Sequence, residues 1–497
     1  MDFKFYIMEN KLFILLPIGY SLLTPVVAQN QIEHKYNIVY VLLDDLAYDA
    51  IESTNRYPFL KTPNITRLQS EGVTFDNFFC TMALSSPSRA CMLTGMYPHK
   101  HGVTQNDDRV DADWEKYPPY TSYLQSAGYE TAFIGKMHQA ALWGKDQVRP
   151  GFDYWLGFRH QGDYYKNTLN ENGKEFYKEG YITDVLTDYA IDWMTKKRDK
   201  NKPFSLCLWH KAVHEPYIAA PRHIGCYKEE LLPLPPKGNG VETFEGKPEW
   251  QKYKKTFYKI GKNDPEWNPE YETPKKILET LLAVDESIGN VFGTLEKIGE
   301  LDNTVVVFSS DNGYFMGEHG FWDKRISYDE CMRIPLIIRF PNKLGAGKHV
   351  EEMCLNIDIA PTMIDIAGAD VPSYMQGKSM LPLLSDNPED IDWRKSFLFE
   401  YFVDDAYPYA GPTQVAIRTE EYKLVDCFLD DDIDELYDLR KDPGEMINLI
   451  NNPDYKIIQK QLRKELKDLM KQTKFNPDRD FWLRKQVSVW EKKYKNK

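Results

Sequence analysis

Residues 37–43, Asn-Ile-Val-Tyr-Val-Leu-Leu, form an unbroken apolar run rich in β-branched side chains. No polar alternation marks a solvent face, so the run predicts a strand buried on both sides at the centre of a sheet. Residues 130–135, 204–209 and 304–310 have the same character. Between such runs the period changes to that of a helix. From Ile277 to Ile298, Leu281, Leu282, Val284, Ile288, Val291, Phe292 and Leu295 share one stripe. Strands alternating with helices predict an α/β fold: a large, mostly parallel sheet with helices on both faces. After Leu381-Pro382-Leu383-Leu384 short β-like runs crowd together at 396–402, 414–419, 422–427 and 435–439. A charged amphipathic helix follows at about 454–472, then a basic tail at 484–497. The pattern therefore predicts an α/β domain over 29–385 and a smaller C-terminal domain over 386–497, with a short antiparallel sheet and a helix. Residues 232–275, rich in Pro, Lys, Trp and Tyr without a period, read as a long surface insertion.

One stretch starts a helix in an unusual way. In Leu84-Ser85-Ser86-Pro87-Ser88-Arg89-Ala90-Cys91-Met92-Leu93-Thr94-Gly95, Ser86 is the expected cap, Pro87 fits the first turn and Gly95 the end. Ser85 and Arg89 then lie at a helix N-terminus, where free N–H groups and the dipole favour an anion.

Composition adds limits. The 497 residues are 42% hydrophobic and 28% charged, with a net charge of −13, which excludes nucleic acid as a general partner. Lys11 followed by the apolar stretch 12–27 and Ala28 reads as an export signal over 1–28, with Met8 as the alternative start. That stretch is short for a membrane span, and no later one is long enough. Seven widely spaced cysteines without a CxxC pair read as buried structural residues.

The chemistry gathers at the strand ends. Asp44-Asp45 follow the first strand and Asp311-Asn312 the fourth; hard oxygens of this kind suit calcium or magnesium rather than zinc. Lys136 and His138 follow the second strand and His214 the third, with Arg89 and Lys324 as further cations. Open α/β sheets bind ligands at the C-terminal edges of their strands. A hydroxyl-derived nucleophile from Ser85, a divalent ion and a ring of cations describe displacement at a sulfate or phosphate ester.

These residues resemble those of type I, formylglycine-dependent sulfatases in the alkaline-phosphatase-like superfamily. Ser85-Ser86-Pro87-Ser88-Arg89 with Leu93-Thr94-Gly95 matches the (Cys or Ser)-x-Pro-Ser-Arg…Thr-Gly signature of that family. Asp44-Asp45, Gly135-Lys136-Met137-His138, His214-x-Pro216, Ser310-Asp311-Asn312-Gly313 and Lys324 extend the likeness along the chain. The resemblance implies calcium, with magnesium second, held by Asp44, Asp45, Asp311, Asn312 and position 85. It implies oxidation of Ser85 to formylglycine, whose hydrate attacks sulfur. Arg89 and Lys136 would stabilise charge, His214 with Lys324 would protonate the leaving alcohol, and His138 would assist release of sulfate. Serine at 85, where another branch of the family has cysteine, implies a serine-type maturating radical enzyme as partner and an enzyme that is periplasmic or secreted.

Asn172-Gly173-Lys174, Tyr181–Asp184 and the stretch after His214 resemble N-acetylglucosamine-6-sulfatases more than arylsulfatases. A sulfated saccharide is thus the expected substrate, with the 6-O-sulfate of N-acetylglucosamine first and Asn106, Arg109, His160 and Tyr164 as sugar contacts. The alternatives are a sulfate on galactose, N-acetylgalactosamine or an algal glycan, or a phosphonate or phosphate ester. A glycan-binding protein with unmodified Ser85 is the non-enzymatic alternative.

Overall fold

The computed structural model describes residues 35–106, 112–139, 149–233, 244–252, 273–384, 391–403, 411–428 and 432–478. The expected export segment 1–28, Arg109 and the basic tail 484–497 lie outside them. Ten strands form one sheet. In chain order they are β1 (Asn37–Leu43), β2 (Val73–Phe75), β3 (Glu130–Gly135), β4 (Tyr154–Gly157) and β5 (Asn167–Glu171). Then come β6 (Lys174–Lys178), β7 (Phe204–Trp209), β8 (Thr304–Ser310), β9 (Leu336–Arg339) and β10 (Lys348–Val350). Their spatial order is β10-β2-β9-β8-β1-β7-β3-β4-β5-β6. The central strands β8, β1, β7, β3 and β4 run parallel, while β9, β5 and β6 pair antiparallel with their neighbours.

The apolar run of β1 is buried throughout. Ile38, Tyr40 and Leu42 join one core, while Val39, Val41 and Leu43 join another. Helices α1 (Pro63–Glu71), α3 (Ile182–Asp192) and α4 (Thr273–Lys297) contribute to the second core. Helices α2 (Ser85–Thr94) and α5 (Ile359–Ile366) contribute to the first. A two-sided apolar strand thus gives the expected sheet with helices on both faces.

Two expectations need correction. Helix α2 begins one residue early, at Ser85, with Leu84 as an extended and buried N-cap; Ser86 lies inside the first turn, and Asn106 Oδ1 accepts its N–H at 2.9 Å. An external amide does the work expected of a local hydroxyl. Of the expected surface insertion, residues 234–243 and 253–272 lie outside the described residues, but Trp250 and Gln251 are buried. Gln251 donates to Glu435 at 2.8 Å and Lys247 to Tyr328 at 3.0 Å, so the segment satisfies a buried polar cluster instead of covering a surface. All seven cysteines are free, and only Cys226 is exposed.

The C-terminal runs form a separate antiparallel sheet: β11 (Ser396–Tyr401), β12 (Gln414–Thr419), β13 (Tyr422–Cys427) and β14 (Glu435–Asp438). Helix α6 (Lys456–Thr473) packs on it through Leu462 and Leu466. Phe397 meets Phe79 with ring centres 5.0 Å apart, so this sheet shares the first core. His99 adds a polar tie. Its Nδ1 faces the buried Glu400 carboxylate and its Nε2 lies 2.9 Å from the carbonyl of Thr473 at the end of α6. Two acceptors ask for two N–H groups, which only the imidazolium has.

The fold makes two predictions. Gly135 has φ +129° and an added Cβ would lie 1.9 Å from Trp209 O, so Gly135→Ala is expected to cost at least about 2 kcal/mol in urea unfolding; an unchanged midpoint would contradict the packing. Burial lowers the His99 pKa and Lys100 opposes its charge, but Glu400 and Thr473 outweigh both and raise it. Its stabilisation is therefore complete below the ordinary 6.5 and is lost as pH climbs through the raised value. His99→Gln should lower the melting temperature at pH 6 and matter less at pH 9. An equal loss at both would disprove the charged bridge.

Candidate active site

Parallel pairing puts the C-terminal ends of β1, β3, β7 and β8 on one edge. The backbone ladder continues past them: Asp311 N donates to Leu43 O at 3.1 Å, Asp44 N to Ala212 O at 3.0 Å, and Lys136 N to Trp209 O at 2.8 Å. Each polar residue is thus fixed at its root before its side chain makes any contact. Asp45 and His138 have left-handed backbones, φ 65° and 58°, conformations that non-glycine residues take mainly where surrounding structure imposes them.

Ser85 sits at the start of α2 against this edge. Its Oγ donates to Asp44 Oδ1 at 3.1 Å and receives Lys324 Nζ at 3.4 Å. Lys324 also binds Asp45, and Lys136 binds the other oxygen of Asp44. Arg89 Nε donates to Asp311 Oδ2 at 2.9 Å, while Asn312 Nδ2 donates to Asp45 Oδ1 at 2.8 Å. His214 Nδ1–H donates to Glu215 O at 2.9 Å, which leaves Nε2 free to accept, 3.6 Å from Asp45 Oδ2. Apart from Glu215, which is exposed, all these residues are buried, with at most 7% exposed. The structure therefore brings together Asp44, Asp45, Ser85, Arg89, Lys136, His214, Asp311, Asn312 and Lys324. His138 joins them electrostatically: burial and then Lys136 push its pKa well down.

The electrostatics show a crowd of carboxylates. Burial followed by Asp44 raises Asp311 to about 6. Asp45 is raised too, since burial outweighs Lys324. Burial works against the charge of Asp44 as well, but Lys136, Arg89 and Lys324 together hold it well below the usual range. Lys136 is lowered by burial in spite of Asp44, whereas Lys324 is raised because Asp45 and Asp44 outweigh burial. Burial and then Lys136 hold the His214 ring neutral.

Two unsatisfied atoms show what the site lacks. Asn312 Oδ1 and Arg89 Nη2 are buried without a hydrogen bond in the protein. Buried polar atoms are nearly always paired; an acceptor and a donor left over ask for a cation and an anion respectively. Ligand atoms of Asp44, Asp45 and His214 lie within 4.8 Å of one another, and the surrounding donors are hard oxygens. The residues fit a divalent metal.

The expected sugar contacts fare differently. Asn106 is at the site but its oxygen caps α2. Tyr164 is 2% exposed and donates to His214 O at 2.7 Å, so it stands behind the histidine as a support. His160 is exposed and lines a separate hollow with Arg159, Gln161 and Lys166. Gln161 was not legible in the sequence: it accepts from Lys136 from a loop with no pattern. Lys211 is another such residue, lowered to about 8 by burial and by Lys136; its place just past β7 was the available sign.

Known proteins resemble this chain in sequence and fold. Residues 36–369 match the family model described as Sulfatase, and 317–472 match N-sulphoglucosamine sulphohydrolase, C-terminal. An N-acetylglucosamine-6-O-sulfatase of Bacteroides thetaiotaomicron is 36% identical, over 95% of this chain and 93% of its own. The human N-acetylglucosamine-6-sulfatase is 29% identical, over 85% of this chain and 82% of its own. A solved structure of a protein with its substrate D-glucosamine-2-N,6-O-disulfate superposes with a TM-score of 0.79 at 34% identity, covering 90% of this chain and 99% of that one. Fold and sequence agree, and the chain belongs to the sulfatase family.

Proposed function

We propose that this chain hydrolyses the sulfate ester of a carbohydrate, first among them the 6-O-sulfate of N-acetylglucosamine or a related hexosamine, with position 85 as the nucleophile. The observation that carries the reaction is the setting of Ser85 Oγ, held between Asp44 and Lys324 inside a closed ring of charge. The choice of sugar rests on the 6-sulfatase relatives and on the glucosamine disulfate bound by the solved neighbour.

Asp44, Asp45, Asp311 and Asn312, with position 85, would hold a calcium ion, with magnesium second. Such an ion supplies Lewis acidity toward a sulfate oxygen and lowers the pKa of a bound hydroxyl. Oxidised to formylglycine and hydrated, position 85 supplies one hydroxyl to attack sulfur and another to expel sulfate afterwards. The remaining work falls to the side chains. Arg89 offers Nη2, which makes no hydrogen bond and lies 3.7 Å from Asp44 Oδ2, to the sulfate oxygens, and Lys136 and Lys324 spread positive charge around them. Glu215 O and Tyr164 fix the His214 ring and its loop, so that Nε2 is the atom that holds the proton for the departing alcohol. An anionic ester beside that ring raises its proton affinity, offsetting the burial that otherwise keeps it neutral. His138 serves as the second proton carrier, for release of sulfate.

A serine-type maturating radical enzyme is the partner this reading requires, and a periplasmic or secreted location is the compartment. The lysine and apolar stretch within 1–28 support export, and among the described residues no helix is long and apolar enough to cross a membrane.

Three experiments test the reading. Protein matured in its host should carry an aldehyde at position 85, seen in peptide mass. Ser85→Ala should lose at least about a thousandfold in sulfate release from 6-O-sulfated N-acetylglucosamine, with its melting temperature kept; turnover by the variant would refute the nucleophile. Exhaustive chelation should abolish activity and lower the melting temperature, and calcium should restore both better than magnesium. A chelated protein that keeps full stability would show that the carboxylates hold no metal.

A further inference from the structure

A cleft of about 570 Å³ opens far from the carboxylate cluster, a volume within the usual range of ligand pockets. Its floor is the other end of α2, where Gln376 N–H donates to Gly95 O at 2.8 Å. The ten residues of α2 set Ser85 roughly 15 Å away along the helix axis. The opposite wall is the C-terminal end of α6, with Thr473 and Lys474, and the segment 392–396 before and within β11.

The charge of this cleft runs against that of the chain. Among the described residues its lining holds Lys100, Lys378, Lys395, Lys474 and Arg394, against one carboxylate, Asp392. Arg394 is neutralised from behind by Asp358 at 2.7 Å, so it belongs to the scaffold. None of the four lysines forms an ion pair among the described residues; Lys100 lies over the Tyr117 ring at 5.8 Å and Lys378 over Trp393 at 5.7 Å. In a chain of net charge −13, acidic partners for these groups are abundant elsewhere. Four like charges gathered around one cleft repel each other until a polyanion joins them.

The cleft also has ring faces. Trp393 is fixed by its indole N–H on Met353 O at 2.8 Å, and Tyr374 by its hydroxyl against that of Tyr123 at 2.8 Å. Both rings are half-buried and border the opening. Rigid aromatic faces beside cations suit flat, hydroxylated and charged rings better than an extended peptide.

We propose that this cleft is a second, non-catalytic binding site for a polyanionic saccharide chain. It holds a long sulfated glycan by a segment other than the one whose ester is cleaved, and so raises the local concentration of ends or branches at Ser85. That the polyanion is a saccharide rests on the proposed function; the cationic cleft does not.

The test uses the full-length chain with Ser85→Ala, so that binding is read without turnover. Titration calorimetry at low salt would compare a sulfated hexasaccharide with its desulfated counterpart and with an acidic peptide of equal charge. The combined variant K100Q/K378Q/K395Q/K474Q should bind the sulfated hexasaccharide about tenfold more weakly, with an unchanged melting temperature. In the matured enzyme the same four changes should raise KM on the polymer and leave kcat on a sulfated monosaccharide as it was. Unchanged affinity in the variant would overturn the site. Equal binding of the acidic peptide would overturn the saccharide assignment while leaving the catalytic reading untouched.

Discussion

The structure depends on keeping three buried carboxylates together. Asp44, Asp45 and Asp311 are at most 4% exposed, and burial, with their mutual repulsion added, raises the proton affinity of Asp45 and Asp311. Three buried cations, Arg89, Lys136 and Lys324, offset that repulsion within the protein. Such an arrangement is costly unless every charge has a partner. By our proposal, the added charge of a divalent ion and that of an anionic ester would complete it from outside. Ligand binding is in this sense the last step in satisfying the core.

Geometry makes the crowding achievable. Parallel strands deliver their C-terminal residues to one edge, and the hydrogen-bond ladder runs on beyond β1, β3 and β8 to pin the roots of Asp44, Lys136 and Asp311. Helix α2 then meets this edge by its first turn, where Ser85 faces Asp44 and Arg89 faces Asp311. All ten of its residues are buried, which leaves its position set by packing on both flanks. Asn106, Gln139 and Asn356 finish the job by binding Ser86 and Ser88, the two polar residues of the first turn that do not face Asp44.

The C-terminal sheet is tied to the same helix from its far end. Gln376 binds both the backbone after α2 and the carbonyl of Thr473, and His99 joins Glu400 to that same carbonyl. The cationic cleft lies where these ties meet. One short helix thus has a reaction centre at its start and, by our proposal, a glycan anchor at its end.

Much of this was legible in the residues themselves. Two-sided apolar runs announce a buried parallel sheet because only strands covered on both faces can dispense with polar alternation. The antiparallel runs near the C-terminus and the helix after them were readable for the same reason, since period follows from burial. The charged residues just past strand ends marked the site, because parallel strands share an edge. What the sequence could not supply were contacts between distant loops. That Asn106 caps α2, that Tyr164 supports His214 from behind, that Gln161 receives Lys136, and that Lys247, Trp250 and Gln251 are packed inside all depend on which loops meet. Local periodicity carries burial, one residue at a time; partners across hundreds of residues are chosen only when the chain closes on itself, and the pairing of the buried charges was decided there.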